Sequence, residues 1–254
     1  MLEIKHLTAG YGGKNVLQNF SLTIPAGKVT AVVGSNGCGK STLLKVLAGI
    51  LPGQGELQLQ GQNLNHLSSR QRAQKIAYLP QNRPVPEITA GRLVLHGRFP
   101  YLSYPRRYRR EDNAAAEAAM ARLGILDLKD RELTSLSGGQ RQKVYLAMVL
   151  AQETAVVLLD EPNTYLDIAH QLQLMTLARL LAAEGKAVVL VLHDLAMALE
   201  TADHLAVMEN GTLLCQGDAE TVFASGALRQ AFGVAVNRIQ TMDGWRYYYG
   251  EAMH

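Results

Sequence analysis

Eight consecutive residues, Gly34-Ser35-Asn36-Gly37-Cys38-Gly39-Lys40-Ser41, carry the first chemical signal in the chain. Two glycines around four residues, followed by lysine and a hydroxyl, is the spacing of a phosphate-binding loop. Glycine lets the backbone bend so that its N–H groups turn inward onto phosphate oxygens, and the helix that follows presents its positive end. Lys40 supplies a mobile point charge for β- and γ-phosphates. The Ser41 hydroxyl, with Thr42 beside it, is the kind of ligand Mg²⁺ takes in such loops. A second signal is the apolar run Val156-Val157-Leu158-Leu159, which ends in Asp160-Glu161. A strand there would deliver Asp160 to a sheet edge, where a metal-bound water sits, and leave Glu161 to accept a proton from attacking water. A glycine-rich turn and an acidic strand cap are the plain alternatives, and each loses ground beside the other. Together these residue types can do metal-assisted phosphoryl transfer to water.

Such residues must be held by strands and helices. Lys28 to Val33 is a β-branched run leading into the glycines, and Ser41 to Ala48 is a helical run leading away. Alternation predicts strands over residues 2–7, 20–24 and 56–60, with another over Ile76–Leu79. Arg70–Lys75, Glu111–Leu123, Ser137–Ala151 and Gln171–Ala183 read as helices, and Val188–Leu192 as a strand. Asn210-Gly211 between two apolar runs is a two-residue hairpin signal, with a weaker one at Asp243-Gly244. The order suggests an α/β core interrupted by a helical insertion over residues 82–154, after which the core resumes.

Composition narrows the class. The 254 residues are 48% apolar and 19% charged, which excludes a disordered chain. The formal charge of +3 gives no electrostatic case for nucleic acid. Two separated cysteines, Cys38 and Cys215, make no disulfide framework or zinc cluster and fit a reducing compartment. The longest apolar runs fall far short of the ~20 residues that span a bilayer, and the charges in Met1–Lys5 break any signal-peptide core.

Phosphate loops serve many enzymes, so the choice among them comes from Leu136-Ser137-Gly138-Gly139-Gln140, followed by Arg141-Gln142-Lys143. Here the chain resembles the ATP-binding cassette (ABC) family. The parts follow that family's order over nearly the whole chain: Tyr11, the phosphate loop, Gln81, the signature, Asp160-Glu161, Asp167 and His193. The resemblance implies an α/β fold of the P-loop NTPase type. One nucleotide-binding domain over 1–254 would combine a RecA-like core, an antiparallel β subdomain, a helical signature subdomain at 82–154 and a C-terminal hairpin or tail at 234–254. It implies ATP and Mg²⁺ as bound species. Gly34 to Thr42 would hold the phosphates, Tyr11 would stack on adenine, and Ser41, Gln81 and Asp160 would surround the metal. Glu161 would be the base, with Lys40 and the switch residue His193 at the γ-phosphate. Ser137, Gly138, Gly139 and Gln140 would close over the ATP of a second copy, and Asp167 would communicate across that dimer. Two small departures, Asn163 and Lys143, stand where relatives more often have Thr and Arg.

No membrane span accompanies the engine, which favours an importer whose membrane permease is a separate chain. The stretches Ser68-Ser69-Arg70, Gly97-Arg98-Phe99-Pro100-Tyr101, Ala147 to Gln152 and Leu192-His193-Asp194-Leu195, and Tyr165 within Asp160 to Asp167, are similar to ATPases of ferric siderophore, ferric citrate, haem and cobalamin importers. The resemblance therefore implies a second copy of the chain, permease subunits and, indirectly, a periplasmic or extracellular substrate-binding protein as partners. It places the chain at the cytoplasmic face of the cell membrane, with no nucleic acid partner. Another small-solute importer, or a soluble ABC ATPase acting on nucleic acid or the ribosome, is the alternative. Arg106-Arg107-Tyr108-Arg109-Arg110 reads first as a solvated loop, with a lipid- or permease-facing segment next and a nucleic-acid contact, suited by basic residues around an aromatic, as the further alternative. The aromatics Trp245 and Tyr247–Tyr249 read as a terminal hairpin packed on the core, with an exposed partner-binding strand as the alternative. Cys38, inside the loop, is expected near phosphate, so that alkylation blocks ATP and ATP protects the thiol.

Overall fold

In the computed structural model, which describes residues 1–162, 167–242 and 244–251, the first two elements are longer than alternation alone predicts. β1 (Leu2–Tyr11) and β2 (Lys14–Ile24) pair antiparallel. Each contains a non-glycine residue in the left-handed region, His6 at φ 54° and Asn19 at φ 49°. Register shifts between Ile4 and Leu7, and His6 Nδ1 meets Asn19 Oδ1 at 2.7 Å. This irregularity breaks the period of two, so the readable strand ends at residue 7 and its partner begins at 20.

β3 (Val29–Gly34) runs through the glycine-rich turn into α1 (Lys40–Leu47). β4 (Gln54–Leu59) and β5 (Gln62–Asn63) complete an antiparallel sheet in the order β2-β1-β4-β5. α2 (Ser69–Ala73), closed by a Ser68/Gln71 capping box, leads to β6 (Ile76–Leu79). Three helices follow: α3 (Ala90–His96), α4 (Arg110–Arg122) and α5 (Gly138–Ala151). The chain then returns through β7 (Val156–Asp160), α6 (Ile168–Ala183), β8 (Ala187–Val191), α7 (Leu195–Thr201), β9 (His204–Glu209) and β10 (Thr212–Gly217). It ends in α8 (Ala219–Ala224), α9 (Ala227–Phe232) and the strands β11 (Val234–Thr241) and β12 (Gly244–Glu251).

The central sheet has the order β10-β9-β3-β8-β7-β6, with β10 the antiparallel edge. Every residue of β3, β7 and β8 is buried. Val157 and Leu159 face the core formed with α3, α4, α5 and α6, whereas Val156 and Leu158 face the core shared with α1 and the antiparallel sheet. Burial on both faces is why these strands read as continuous apolar runs. Asn210 and Gly211 both take positive φ, 48° and 79°, and join β9 to β10 as the sequence predicts. Asp243 of the second turn signal, and Asn163 and Tyr165, lie outside the described residues.

The helices between β6 and β7 are locked by a buried cation. Arg98, 8% exposed, meets Asp112 at 3.2 Å and Glu153 at 2.6 Å, and donates to the Ala151 carbonyl at 2.9 Å. Its guanidinium lies 4.2 Å from the Tyr101 ring centroid. The end of α3 is thereby tied to α4 and to the C-terminal end of α5. No described helix is long and apolar enough to cross a membrane.

Candidate functional site

Parallel pairing brings the chemistry to one edge. Val32 pairs with Val191, and Asp160 also pairs with Val191, so β3, β8 and β7 end side by side. The loop after Gly34, the Asp160-Glu161 pair and His193 all leave the sheet there, the usual place for ligands in such sheets. Leu79 pairs with Leu159, which carries Gln81 to the same edge. These residues converge: Asn36, Gly37, Lys40, Ser41, Gln81, Glu161 and His193 line one cleft of about 410 Å³.

The loop needs its glycines for space as well as shape. A Cβ on Gly34 would lie 2.3 Å from the Met208 carbonyl oxygen, and one on Gly39 2.8 Å from Leu17 Cδ2. Gly37, at φ 78°, faces open space. Lys40 is 5% exposed, and its ammonium donates to the carbonyls of Gly34 at 2.7 Å and Ser35 at 2.9 Å. The cation is thus held inside the loop it serves.

Ser41 Oγ donates to Asp160 Oδ1 at 3.0 Å, and Tyr78 Oη donates to Asp160 Oδ2 at 3.1 Å. Burial pushes the Asp160 carboxyl up, while the two hydroxyl donors pull it back. Burial and the neighbouring Asp160 push the Tyr78 phenol up, so it stays a donor. Among the described residues no cation lies within ion-pair distance of Asp160. A buried carboxylate and a serine hydroxyl at 3.0 Å, with Lys45 acting on the carboxylate only from beyond ion-pair distance, fit a hard divalent cation.

Glu161 takes a different direction from its neighbour. Its φ of 48° is a strained conformation for a non-glycine residue, the kind that concentrates at active sites. Directly after β7 it turns the carboxylate back into the cleft. Oε1 lies 2.6 Å from His193 Nε2, and Gln81 Nε2 donates to Oε2. The Gln81 amide N–H is therefore spent on Glu161.

The remaining residues lie outside the lining of that cleft. Tyr11 is exposed at the tip of β1, with Lys45 Nζ 5.8 Å from its ring centroid. Ser137 caps α5 and closes a box with Gln140: the Ser137 N–H donates to Gln140 Oε1 at 3.0 Å, and the Gln140 N–H to Ser137 Oγ at 3.3 Å. A Cβ on Gly138 would meet nothing, and Gly139 abuts His170. Asp167 caps α6 and accepts from the His170 N–H at 2.8 Å. Ser137, Gly139, Gln140 and Asp167 line a second cleft of about 440 Å³ whose lining includes no phosphate-loop residue. Tyr78 and Gln142 carry contacts that the sequence does not announce. Gln142, 7% exposed on α5, donates to the Pro162 carbonyl at 2.6 Å, one residue after Glu161.

Cys38 departs from expectation. Its thiol is 3% exposed and turned beneath the loop, 3.9 Å from Lys40 Nζ, and a Cβ on Gly34 would strike it. Burial pushes the thiol up, against the pull of Lys40. It packs into the buried cluster beneath the loop. The expected labelling order follows: a thiol reagent modifies the half-exposed Cys215 first and Cys38 slowly, with Mg-ATP slowing Cys38 further. Peptide mass mapping over time checks this, and faster labelling at Cys38 overturns it.

A family model described as "ABC transporter" matches residues 17–164, which take in the phosphate loop, the signature and the Asp160-Glu161 pair. The chain belongs to the ABC transporter family. This ABC ATPase is 42% identical over 233 residues to the ferric enterobactin transport ATP-binding protein FepC of Escherichia coli (strain K12), covering 91% of this chain and 86% of that one. It is 40% identical over 232 residues to the hemin import ATP-binding protein HmuV of Rhodococcus jostii (strain RHA1), covering 90% and 78%. A chain of a metal-chelate type ABC transporter solved in an inward-facing conformation superposes with a TM-score of 0.84 at 28% identity, covering 99% of this chain and 97% of that one. The family's α/β P-loop NTPase fold is the fold described above, and the chain binds and hydrolyses ATP to power transport.

Proposed function

We propose that this ABC ATPase energises import of an iron(III)–siderophore or a related metal chelate through a separate membrane permease. The single observation carrying the catalytic half is the Glu161 carboxylate, held between His193 and Gln81 in the cleft that also contains the phosphate loop. The substrate class rests on relatives named for ferric enterobactin and hemin.

In this reading Lys40 and the loop amides bind the β- and γ-phosphates, and Tyr11 covers the adenine. Ser41 and Asp160 would hold Mg²⁺, which when bound neutralises phosphate charge, and Gln81 would act beside them through Glu161. Glu161 takes the proton of the attacking water, while His193 orients Glu161 and contacts the γ-phosphate. The signature residues of one chain lie in a separate cleft from its own phosphate loop. A second copy, placed head to tail, would bring Ser137, Gly138, Gly139 and Gln140 over the γ-phosphate, with Asp167 at the seam. Closing the dimer on ATP and reopening it after hydrolysis would move the 82–154 insertion against the permease at the cytoplasmic face of the membrane, as a substrate-binding protein delivers cargo from outside.

The test is uptake of labelled iron chelates, haem and cobalamin by cells lacking this chain, complemented with wild type or Glu161→Gln. One chelate should enter with wild type alone. If none depends on the chain while the purified protein hydrolyses ATP, the chelate assignment falls and another importer or a soluble role takes its place.

A further inference from the structure

The C-terminal hairpin, left without a role by the reading above, reaches the loop that carries His193. Only Leu192 separates His193 from the end of β8, and only Asp194 separates it from α7. The position of the imidazole is therefore set by where α7 begins. A helix start leaves backbone N–H groups without partners. Asp194 Oδ1 accepts the Met197 N–H at 3.0 Å, as an N-cap does. The Ala196 N–H goes to the hydroxyl of Tyr249, at 2.5 Å, and that hydroxyl donates to the same Asp194 oxygen at 2.9 Å. One phenol from β12 thus completes the cap and pins the capping carboxylate. Burial pushes the phenol up to about 12, so it remains a donor at neutral pH.

The far end of α7 is held by the same strand. Glu200 accepts the Tyr247 N–H at 3.2 Å and an Arg246 N–H at 3.1 Å. The hairpin has its own anchor. Arg238 stacks between Phe223 (4.5 Å) and Trp245 (4.1 Å) and pairs with Glu220 of α8, and the Tyr247 ring lies 5.8 Å from Phe223. Among the described residues, β11 and β12 pair only with each other. The hairpin is a brace between α8 and α7, and among the described residues its hydrogen bond to the switch loop comes from one hydroxyl.

We propose that Tyr249 is a positioning residue for hydrolysis, through which the C-terminal hairpin fixes the start of α7 and so holds His193 against Glu161. The inference rests on the role given to His193 above. It assigns the aromatic C-terminus a part in setting the turnover rate, and makes whatever loosens the hairpin a brake on hydrolysis.

Tyr249→Phe keeps the ring and the strand and removes both hydrogen bonds. The expected result is a five- to tenfold lower kcat for ATP, with KM and ATP affinity within twofold of wild type. A merely structural contact would act alike whether or not His193 is present. The deciding measurement is therefore single-turnover hydrolysis in a cycle of wild type, Tyr249→Phe, His193→Ala and the double variant. Tyr249→Phe should cost less than twofold in the His193→Ala background. Equal losses in both backgrounds, an unchanged kcat, or a loss confined to KM overturns the proposal. Wild-type turnover in His193→Ala alone would instead remove the role of His193 on which it rests.

Discussion

Replacing Glu161 with glutamine lowers ATP turnover by about 10²–10⁴-fold, the range a positioned general base contributes, while ATP affinity stays within threefold of wild type. The geometry explains why the two effects separate. One carboxylate oxygen faces the Gln81 amide donor and the other faces His193 Nε2 at 2.6 Å. The introduced amide can keep its oxygen toward Gln81 and give its N–H to an imidazole Nε2 lacking a proton, so the site keeps its shape. Its loss is the lone pair that takes the proton of water. Lys40, Ser41 and Asp160, which the proposed function places on phosphate and metal, do not contact the altered group within hydrogen-bond distance. Steady-state hydrolysis and equilibrium nucleotide binding, measured on the same preparation, check the prediction. Turnover within fivefold of wild type would remove Glu161 from the role of base.

The parts of this site that are legible in the sequence are those whose function requires a fixed local spacing. The loop from Gly34 to Ser41 must be glycine-rich where the backbone turns, and it must lie between a strand and a helix. Asp160-Glu161 must end a buried strand. Ser137 and Gln140 form a reciprocal cap whose spacing shows in the order of residues alone. What is not legible depends on register. Tyr78 is one aromatic in a short strand. Only the pairing of Tyr78 with Leu158 carries its hydroxyl to Asp160, two residues along β7. Gln142 resembles any polar residue on a helix until α5 is packed against the turn after Glu161. The hairpin aromatics give a pattern without a destination, because α7, their docking site, is a seven-residue helix with no strong periodicity. The burial of the Cys38 thiol is likewise not legible, because spacing says which residues make a loop but not which of their side chains are covered.

These register-dependent contacts share a direction. Tyr78 comes from β6, Gln142 from the signature helix and Tyr249 from the C-terminal strand, and each ends within two residues of Asp160, Glu161 or His193. The Gln142 contact links the helix that starts at the signature to the backbone beside Glu161 within one chain. In the sandwich dimer proposed above, that helix start would sense the partner's nucleotide. The 2.6 Å hydrogen bond between buried groups would then carry its position to the backbone beside Glu161.

Lys40→Ala is the second large effect, and it acts on binding. Hydrogen bonds to charged groups are worth about 1.5–3 kcal/mol each. Losing contacts to two phosphates therefore weakens ATP on the order of 10²–10⁴-fold. Lys40→Arg does not rescue it, because a planar guanidinium fork cannot occupy the pocket of a compact ammonium that is 5% exposed. The fold tolerates the change to alanine. The ammonium's present partners are two backbone carbonyls, Gly34 and Ser35, whose loop faces the nucleotide cleft, so water can replace it. The melting temperature without nucleotide is then expected to fall by only a few degrees, while stabilisation by saturating ATP disappears, as linkage requires of a ligand that no longer binds. Calorimetric titration with ATP and thermal melts with and without Mg-ATP measure both halves. An ATP affinity within threefold of wild type would show that the loop amides alone carry the phosphates and that the buried ammonium serves only to hold the loop closed.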